Sequence, residues 1–275
     1  MSVNALALVL IVGASVAMSA AWGVAERTGK SGWGDAIWSF SIGGLGAVAA
    51  VAPIGGAEAL TTRQGVVSAI ALVWSLRLGG HIVERTRRGG EDPRYAQLRE
   101  EWGPDAPRRL FWFFQIQAVA ALLLALCIGL AARNPAPAFR LLDWLGFVVV
   151  GAAVVGEGVA DRQLRLFRTR HAAGSAVCDR GLWSLSRHPN YFFQWLGWVG
   201  YAMIAIDPGG GFAIGWLSLV GPIAMYALLV HLSGIPPLEA HMLRSRGRSF
   251  EAYQQRVSPF WPLPKVGSAT ARSRT

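Results

Sequence analysis

Charged residues are scarce in this sequence of 275 residues. Asp, Glu, Lys and Arg make up 15% of it, hydrophobic residues make up 53%, and the mean hydropathy is +0.37. Soluble globular domains carry a charge on about 25% of their residues. The composition therefore excludes an ordinary soluble domain and predicts a membrane protein with several spanning helices.

Acidic residues are the scarcer charged class, with 16 Asp and Glu against 26 Lys and Arg, which gives a net charge of +10. A basic surface can indicate a protein that binds nucleic acid. Here, however, the basic residues fall in short loops between long apolar runs, which is the pattern of membrane topology. We therefore expect no nucleic-acid partner.

Motifs for metals and for soluble dinucleotide-binding domains are missing as well. The two cysteines, Cys127 and Cys178, form no CxxC pair and have no metal-ligand spacing, so neither a disulfide framework nor a zinc site is predicted. The glycine run Gly43–Gly46 lies inside an apolar segment, without the strand, turn and helix that give such glycines meaning.

Long apolar segments dominate the chain. A spanning helix needs about 20 mostly apolar residues, and seven segments qualify, so we predict an all-α integral membrane bundle of seven transmembrane helices. No basic region precedes the first segment, which we interpret as a retained helix rather than a signal peptide. The segments are Val3–Val24, Asp35–Val51, Gln64–Val83, Leu110–Ala131, Leu141–Val159, Tyr191–Ile206 and Phe212–Ser233.

The basic residues then predict the orientation. With seven helices, Arg63, Arg133 and Arg140 fall on one side of the membrane and nearly all other basic residues fall on the opposite side. Because basic loops stay in the cytoplasm, we expect the N-terminus outside and the C-terminus inside a bacterial inner membrane or its equivalent. We predict one domain, residues 1–265, with a cofactor-binding half at about 141–262, and a disordered tail at 266–275.

One polar loop stands out because it leads directly into an apolar helix. Arg180, Arg187 and His188 supply donors, Asn190 supplies both halves of an amide, and a helix that starts at Pro189 would turn free backbone N–H groups toward a ligand. The alternative is a surface loop whose arginines contact lipid head groups. The density of polar groups between two tryptophans favours a binding site.

The loop contains the run Leu182-Trp183-Ser184-Leu185-Ser186-Arg187-His188-Pro189-Asn190-Tyr191-Phe192. This run resembles the signature of bacterial membrane proteins related to the steroid 5α-reductases, of the DUF1295 type, and more distantly that of the isoprenylcysteine carboxyl methyltransferases. The resemblance implies a helical membrane fold that binds NADPH near its cytoplasmic face and reduces a carbon–carbon double bond conjugated to a ketone.

The predicted cofactor-binding residues lie at the cytoplasmic boundary of the C-terminal half. Acidic groups there could bind ribose hydroxyls, and guanidinium groups could bind phosphates. The double proline at Pro236 should stop or kink a helix, and the polar segment after it should lie beside the loop. The residues are Asp161, Arg165, Arg168, Arg180, Trp183, Ser186, Arg187, His188, Asn190, Tyr191, Glu239, His241, Arg244 and Tyr253.

Three residues of the early helices are candidates for the catalytic group that polarises the ketone. Trp74 approximately matches the tyrosine of the family, Asp35 is the candidate for its acidic residue, and His81 lies on the polar face of the same helix as Trp74. The alternatives are structural. Asp35 could be a helix cap, and Arg77 could pair with Asp35 or Glu84 to hold helices together.

The substrate expected from this resemblance is a steroid-like lipid that enters from the bilayer, and no obligatory protein partner is indicated. A methyltransferase that uses S-adenosylmethionine on a lipid acceptor shares much of the loop motif. A membrane scaffold without activity is the third reading. The many arginines favour NADPH, because a dinucleotide carries phosphates whereas S-adenosylmethionine is itself a cation.

Overall fold

A computed structural model describes residues 1–56, 59–171 and 176–263. Within them the chain is helical, without a strand, and has one isolated bridge between Ser186 and Ser258. The helices are α1 (Val3–Thr28), α2 (Gly32–Val51), α3 (Thr62–Arg88), α4 (Pro93–Trp102), α5 (Ala106–Ala132), α6 (Leu141–Arg170), α7 (Pro189–Ala205), α8 (Val220–Tyr226), α9 (Ile235–Arg246) and α10 (Arg248–Arg256). The all-α prediction is confirmed for these residues. The predicted tail, 266–275, lies outside them.

Six of the helical segments are long and apolar enough to cross a membrane, which indicates an integral membrane protein. Large apolar side chains on these helices are exposed, for example Leu8, Ile11 and Val16 of α1, each with more than half of its surface accessible. Such surfaces are costly in water and favourable in lipid. The six segments are Val3–Thr28, Gly32–Val51, Thr62–Arg88, Pro93–Ala132, Leu141–Arg170 and Ala213–Arg246.

The seventh predicted span, Tyr191–Ile206, corresponds to helix α7. This helix has 17 residues, so it rises about 25 Å against a hydrocarbon core of about 30 Å. Its length is at the lower limit for a spanning helix. The count of seven and the orientation of the termini therefore stay predictions.

The chain divides into two compact units. Unit 1 consists of Met1–Val150 and Trp198–Ala224, and unit 2 consists of Gly151–Gly197 and the described residues from Met225 onward. The divisions fall within α6, α7 and α8, so each of these helices contributes residues to both units. The prediction of a single domain is untested by this division.

Unit 1 is held together by close contacts between small residues. A Cβ atom added at Gly43 of α2 would lie 2.2 Å from the Cβ of Ser75 in α3, and one added at Gly46 would lie 2.5 Å from the Ile128 side chain in α5. Small residues let membrane helices approach closely and gain van der Waals contacts. The glycine-rich sequence of α2 therefore packs against both α3 and α5.

One group of charged residues in unit 1 forms ion pairs at the starts of α3 and α6. Arg63, the second residue of α3, forms an ion pair of 2.7 Å with Asp143 in the first turn of α6, and both side chains are buried. Arg140 also contacts Asp143, at 2.8 Å. Thr61 caps α3 through a reciprocal bond with Gln64, which satisfies N–H groups that a helix start leaves unpaired.

Unit 2 contains the break predicted at the double proline. The helical segment from Ala213 ends with a π-helical stretch at Ala227–Leu232, and α9 starts at Ile235, with the prolines in its first turn. Proline is tolerated there because the first N–H groups of a helix have no partner within it. The short helices α9 and α10 follow, and Phe250, Tyr253 and Val257 form a small buried cluster.

Candidate functional site

The polar loop before α7 is bound to the C-terminal segment of unit 2. It contains a single 3₁₀ turn at Gly181–Ser184. The Ser186 hydroxyl donates to the Phe260 carbonyl at 2.9 Å, and the Arg187 backbone N–H donates to the Ser258 carbonyl at 2.8 Å. An irregular buried backbone needs such partners for its polar groups. These bonds therefore fix where α7 begins.

Three predicted cofactor residues bind one another. Arg187 donates to both carboxylate oxygens of Glu239, at 2.7 and 3.0 Å, and His188 lies 3.0 Å from the first of them. Arg187 also donates to the Val257 carbonyl at 2.6 Å, and Gln254 donates to Glu239 at 2.7 Å. Paired arginine and carboxylate bonds of this kind are strong and directional. The group Arg187–His188–Glu239 therefore holds the loop against α9 and α10.

The surroundings of His188 favour the neutral form of its imidazole. Burial lowers the pKa of its imidazole, and the Arg187 charge acts in the same direction, while the Glu239 carboxylate raises it by a smaller amount. The net pKa lies below the ordinary value of about 6.5. A neutral imidazole that carries its hydrogen on Nε2 can donate to Glu239 without adding a second buried positive charge.

Tyr253 and Trp183 also make contacts inside unit 2. The Tyr253 hydroxyl donates to the Trp183 carbonyl at 2.5 Å, and the Trp183 indole N–H donates to the Ala160 carbonyl of α6 at 3.0 Å. Burial raises the pKa of Tyr253, which keeps its hydroxyl protonated as a donor. Both side chains thus connect the loop to its neighbouring helices.

Asn190 differs from these residues. It lies in the first turn of α7, directly after Pro189, and the oxygen of its side-chain amide is buried without a hydrogen-bond partner. Most buried polar atoms have one, and an unpaired one costs about 1–3 kcal/mol. Next to it, the Tyr191 ring stacks on His188 with centroids 5.4 Å apart. The Asn190 amide is therefore available to a donor from outside the chain.

Cationic side chains surround the end of α6 and the loop. Burial raises the pKa of the Cys178 thiol, and the charges of Arg168 and Arg180 act on the same thiol in the opposite direction. Both arginines are exposed, as is Arg165, whereas Asp161 is buried. Exposed guanidinium groups can bind phosphate oxygens. Of the other predicted cofactor residues, Arg244 of α9 is exposed and His241 is partly buried.

Asp35, a predicted catalytic residue of unit 1, is hydrogen-bonded at both carboxylate oxygens. Arg94 donates to one at 2.6 Å and the Tyr95 hydroxyl donates to the other at 2.7 Å, while Gln117 donates to Tyr95 at 3.2 Å. Asp35 lies in the first turn of α2, where a negative charge is favourable. This network connects the start of α2 to α4 and α5.

A family model described as "Protein of unknown function (DUF1295)" matches residues 21–257. The chain belongs to the DUF1295 family. The match covers most of the chain, including the loop and the Asn190 turn. A search of curated proteins and a search of solved structures each found no match.

In this DUF1295 chain the other predicted catalytic residues, Trp74 and His81, lie on α3. The Trp74 ring meets the Trp198 ring edge to face at 5.5 Å, and Trp198 in turn lies 5.5 Å from Tyr201. His81 is partly buried. Among the residues that the structure describes, no group of three or more His, Cys, Asp and Glu side chains could hold a metal ion.

Two tyrosines of the DUF1295 chain were missed by the sequence analysis. Tyr95 is the partner of Asp35, but the two are 60 residues apart and no periodic pattern connects them. Tyr201 is buried and its hydroxyl has no hydrogen-bond partner. A tyrosine in the apolar second half of α7 was a signal that could have identified it, since ionisable and polar groups in membrane helices are functional candidates.

Proposed function

We propose that this protein is a membrane reductase that uses NADPH to reduce a carbon–carbon double bond conjugated to a ketone in a steroid-like lipid. The proposal combines the DUF1295 membership with the resemblance of the loop to the steroid 5α-reductases. In it, the loop and the cofactor face the cytoplasm and the substrate enters from the bilayer.

The unpaired amide oxygen of Asn190 is the observation that carries the proposal. A nicotinamide ring carries a carboxamide whose N–H groups can donate to such an oxygen. The Arg187–His188–Glu239 group gives the Asn190 turn a fixed support, as a binding residue requires. The residues present therefore fit a nicotinamide. In this proposal Arg187, His188 and Glu239 bond to one another to support the Asn190 turn and do not bind the nicotinamide themselves.

The exposed arginines supply the second part of the fit. The charges of Arg168 and Arg180 both act to lower the pKa of the Cys178 thiol. A dinucleotide with a 2′-phosphate needs several cations at its phosphates. When bound, NADPH would supply the hydride that adds to the β-carbon of the enone. In this proposal the chain's own residues orient the nicotinamide at Asn190 and neutralise the phosphates at the arginines.

Binding of NADPH to the purified protein in detergent, measured by thermal shift and by fluorescence, tests the proposal. Asn190→Ala should weaken binding about tenfold, because one hydrogen bond to a buried group is lost. Asn4→Ala, at an exposed position of α1, is the matched control and should leave binding unchanged.

The phosphate part is tested with a second pair of variants. Arg180→Gln should weaken the binding of NADPH more than that of NADH and should reduce its salt dependence, because a phosphate contact is lost. Arg108→Gln, at an exposed position of unit 1, should do neither. Binding of S-adenosylmethionine without binding of NADPH would refute the reductase and favour a methyltransferase.

A further inference from the structure

Tyr201 poses a specific problem of hydrogen bonding. Its side chain is 2% exposed and its hydroxyl has no partner among the described residues. A buried tyrosine hydroxyl normally finds a partner, because it loses its bonds to water on burial. The unpaired hydroxyl therefore needs an explanation beyond the packing of the ring.

Several other buried hydroxyl groups among the described residues donate to a backbone carbonyl, although that of Ser68 has no partner either. Ser39 donates to the Asp35 carbonyl at 2.8 Å and Ser75 donates to the Ser39 carbonyl at 2.9 Å. Ser218 donates to the Gly215 carbonyl at 2.6 Å. Tyr201 makes no such bond, although a long side chain has more reach than a serine. The Tyr201 hydroxyl is therefore a buried donor that a group from outside the chain could use.

The residues near Tyr201 indicate what kind of ligand could bind there. Its ring lies 5.5 Å from Trp198, which lies 5.5 Å from Trp74, and both tryptophans are almost fully buried. A Cβ added at Gly221 would lie 3.0 Å from the Cys127 sulfur and 3.6 Å from the Trp198 ring. Residues of α3, α5, α7 and α8 thus pack around the Trp198 ring, which lies beside Tyr201.

We propose that the Tyr201 hydroxyl donates a hydrogen bond to the ketone oxygen of an apolar, ring-shaped substrate, and that Trp74 and Trp198 pack against its rings. This inference rests on the proposed function and names the group that binds the reacting ketone. The resemblance suggested Trp74 as the group that polarises the ketone. In this inference Trp74 instead packs against the rings of the substrate. Asp35 is bonded to Arg94 and Tyr95 instead.

The chemistry needs a donor at this oxygen. Reduction of the enone adds a hydride to the β-carbon and a proton to the α-carbon, and the cofactor is oxidised by two electrons. Between these additions, negative charge lies on the ketone oxygen, where a positioned donor in a water-poor site is most effective. Tyr201 keeps its own proton throughout, and the α-carbon proton comes from water.

A pair of ligands that differ only in the ketone gives the test. A 4-ene-3-one steroid and the same steroid without its 3-ketone are titrated into the protein in detergent, with tryptophan fluorescence as the signal. The protein should bind the ketone about tenfold more tightly, and Tyr201→Phe should remove this preference. Tyr226→Phe, at a partly buried tyrosine of unit 2, should keep it.

Thermal stability without ligand separates a binding role from a structural one. Removal of an unpaired hydroxyl should leave the melting temperature of Tyr201→Phe unchanged or raise it, whereas a hydroxyl with a structural bond would lower it on removal. A lower melting temperature would overturn the inference. So would a wild-type protein that does not prefer the ketone, or a preference that survives in Tyr201→Phe.

The two proposals fail in different ways. If the protein binds NADPH and reduces the enone, and Tyr201→Phe changes neither the ketone preference nor kcat, the reductase stands and the role of Tyr201 is refuted. If the ketone preference depends on Tyr201 but NADPH does not bind, the ketone site stands and the reductase is refuted. With both correct, Tyr201→Phe should lower kcat about tenfold or more at unchanged NADPH affinity.

Discussion

The two units of this protein use their buried polar groups differently. In unit 1, the buried ion pair of Arg63 and Asp143 lies at two helix starts, and the middle of the helices is held by glycine contacts such as Gly43 against Ser75. In unit 2, a charged group, Arg187–His188–Glu239, supports an irregular loop. Close packing of small residues thus joins the helices of unit 1, whereas a hydrogen-bonded network supports the loop of unit 2.

This difference teaches how each unit can carry a site. A helix satisfies its own backbone, so unit 1 can keep its fold while a buried side-chain hydroxyl such as that of Tyr201 has no partner. A loop must satisfy its backbone with other groups. Unit 2 uses Arg187, Ser186 and Tyr253 for that purpose, and Asn190 retains an unpaired oxygen.

The largest effect should come from removing the carboxylate of unit 2. Glu239→Ala leaves the buried Arg187 charge without its partner and should destabilise unit 2 by about 3–5 kcal/mol. Hydrogen exchange measured by mass spectrometry should then rise in the loop, α9 and α10, while α1 to α3 keep their protection.

Glu251→Ala is the matched control for this change. Glu251 is exposed on α10, where the loss of a surface charge changes stability by less than about 0.5 kcal/mol. If Glu239→Ala behaved like Glu251→Ala, the network would not be what holds the loop, and the contrast between the units would fail.

Part of this arrangement could be predicted from the sequence. Apolar runs long enough for a membrane predict six of the helices, and the double proline predicts the break before α9. Arg187, His188 and Glu239 all belong to the predicted set of cofactor residues, and the structure brings these three together. Their bonds to one another were not predicted, since they depend on which backbone segments lie opposite.

The hydrogen-bond partners of Asp35 in unit 1 could not be predicted from the sequence for the same reason. Asp35 is a predicted catalytic residue, with a helix cap or an ion pair with Arg77 as the structural alternatives, and the structure shows it bonded to Arg94 and Tyr95. Asp35 and Arg94 are separated by 59 residues along the chain, and helical periodicity relates only residues within a few turns. The pairing of distant residues therefore has to be read from the fold.

The next effect tests the packing of unit 1. Gly43→Val would place its Cβ 2.2 Å from that of Ser75, and overpacking of this kind costs about 1–3 kcal/mol. Exchange should rise in α2 and α3 and stay unchanged in α9 and α10, the reverse of the Glu239→Ala pattern. Gly44→Val is the control, since nothing lies within 4 Å of its added Cβ. Equal destabilisation by both variants would contradict the role given to close packing.

The smallest effect concerns pH and again belongs to unit 2. The folded pKa of His188 is lowered by burial, with Glu239 and Arg187 as the charged groups that face it. The unfolded chain binds a proton first, near pH 6.5, so the stability from the neutral imidazole is complete above that pH. It is lost as the pH falls from about 6.5 toward the folded pKa, by about 1.4 kcal/mol for each pH unit between the unfolded and folded pKa values.

The melting temperature should therefore decrease between pH 7.5 and 5.5, and His188→Gln, which can still donate to Glu239, should flatten that dependence. His171→Gln, at an exposed histidine, should leave it as in the wild type, and an unchanged slope in His188→Gln would mean that another group is the one that titrates.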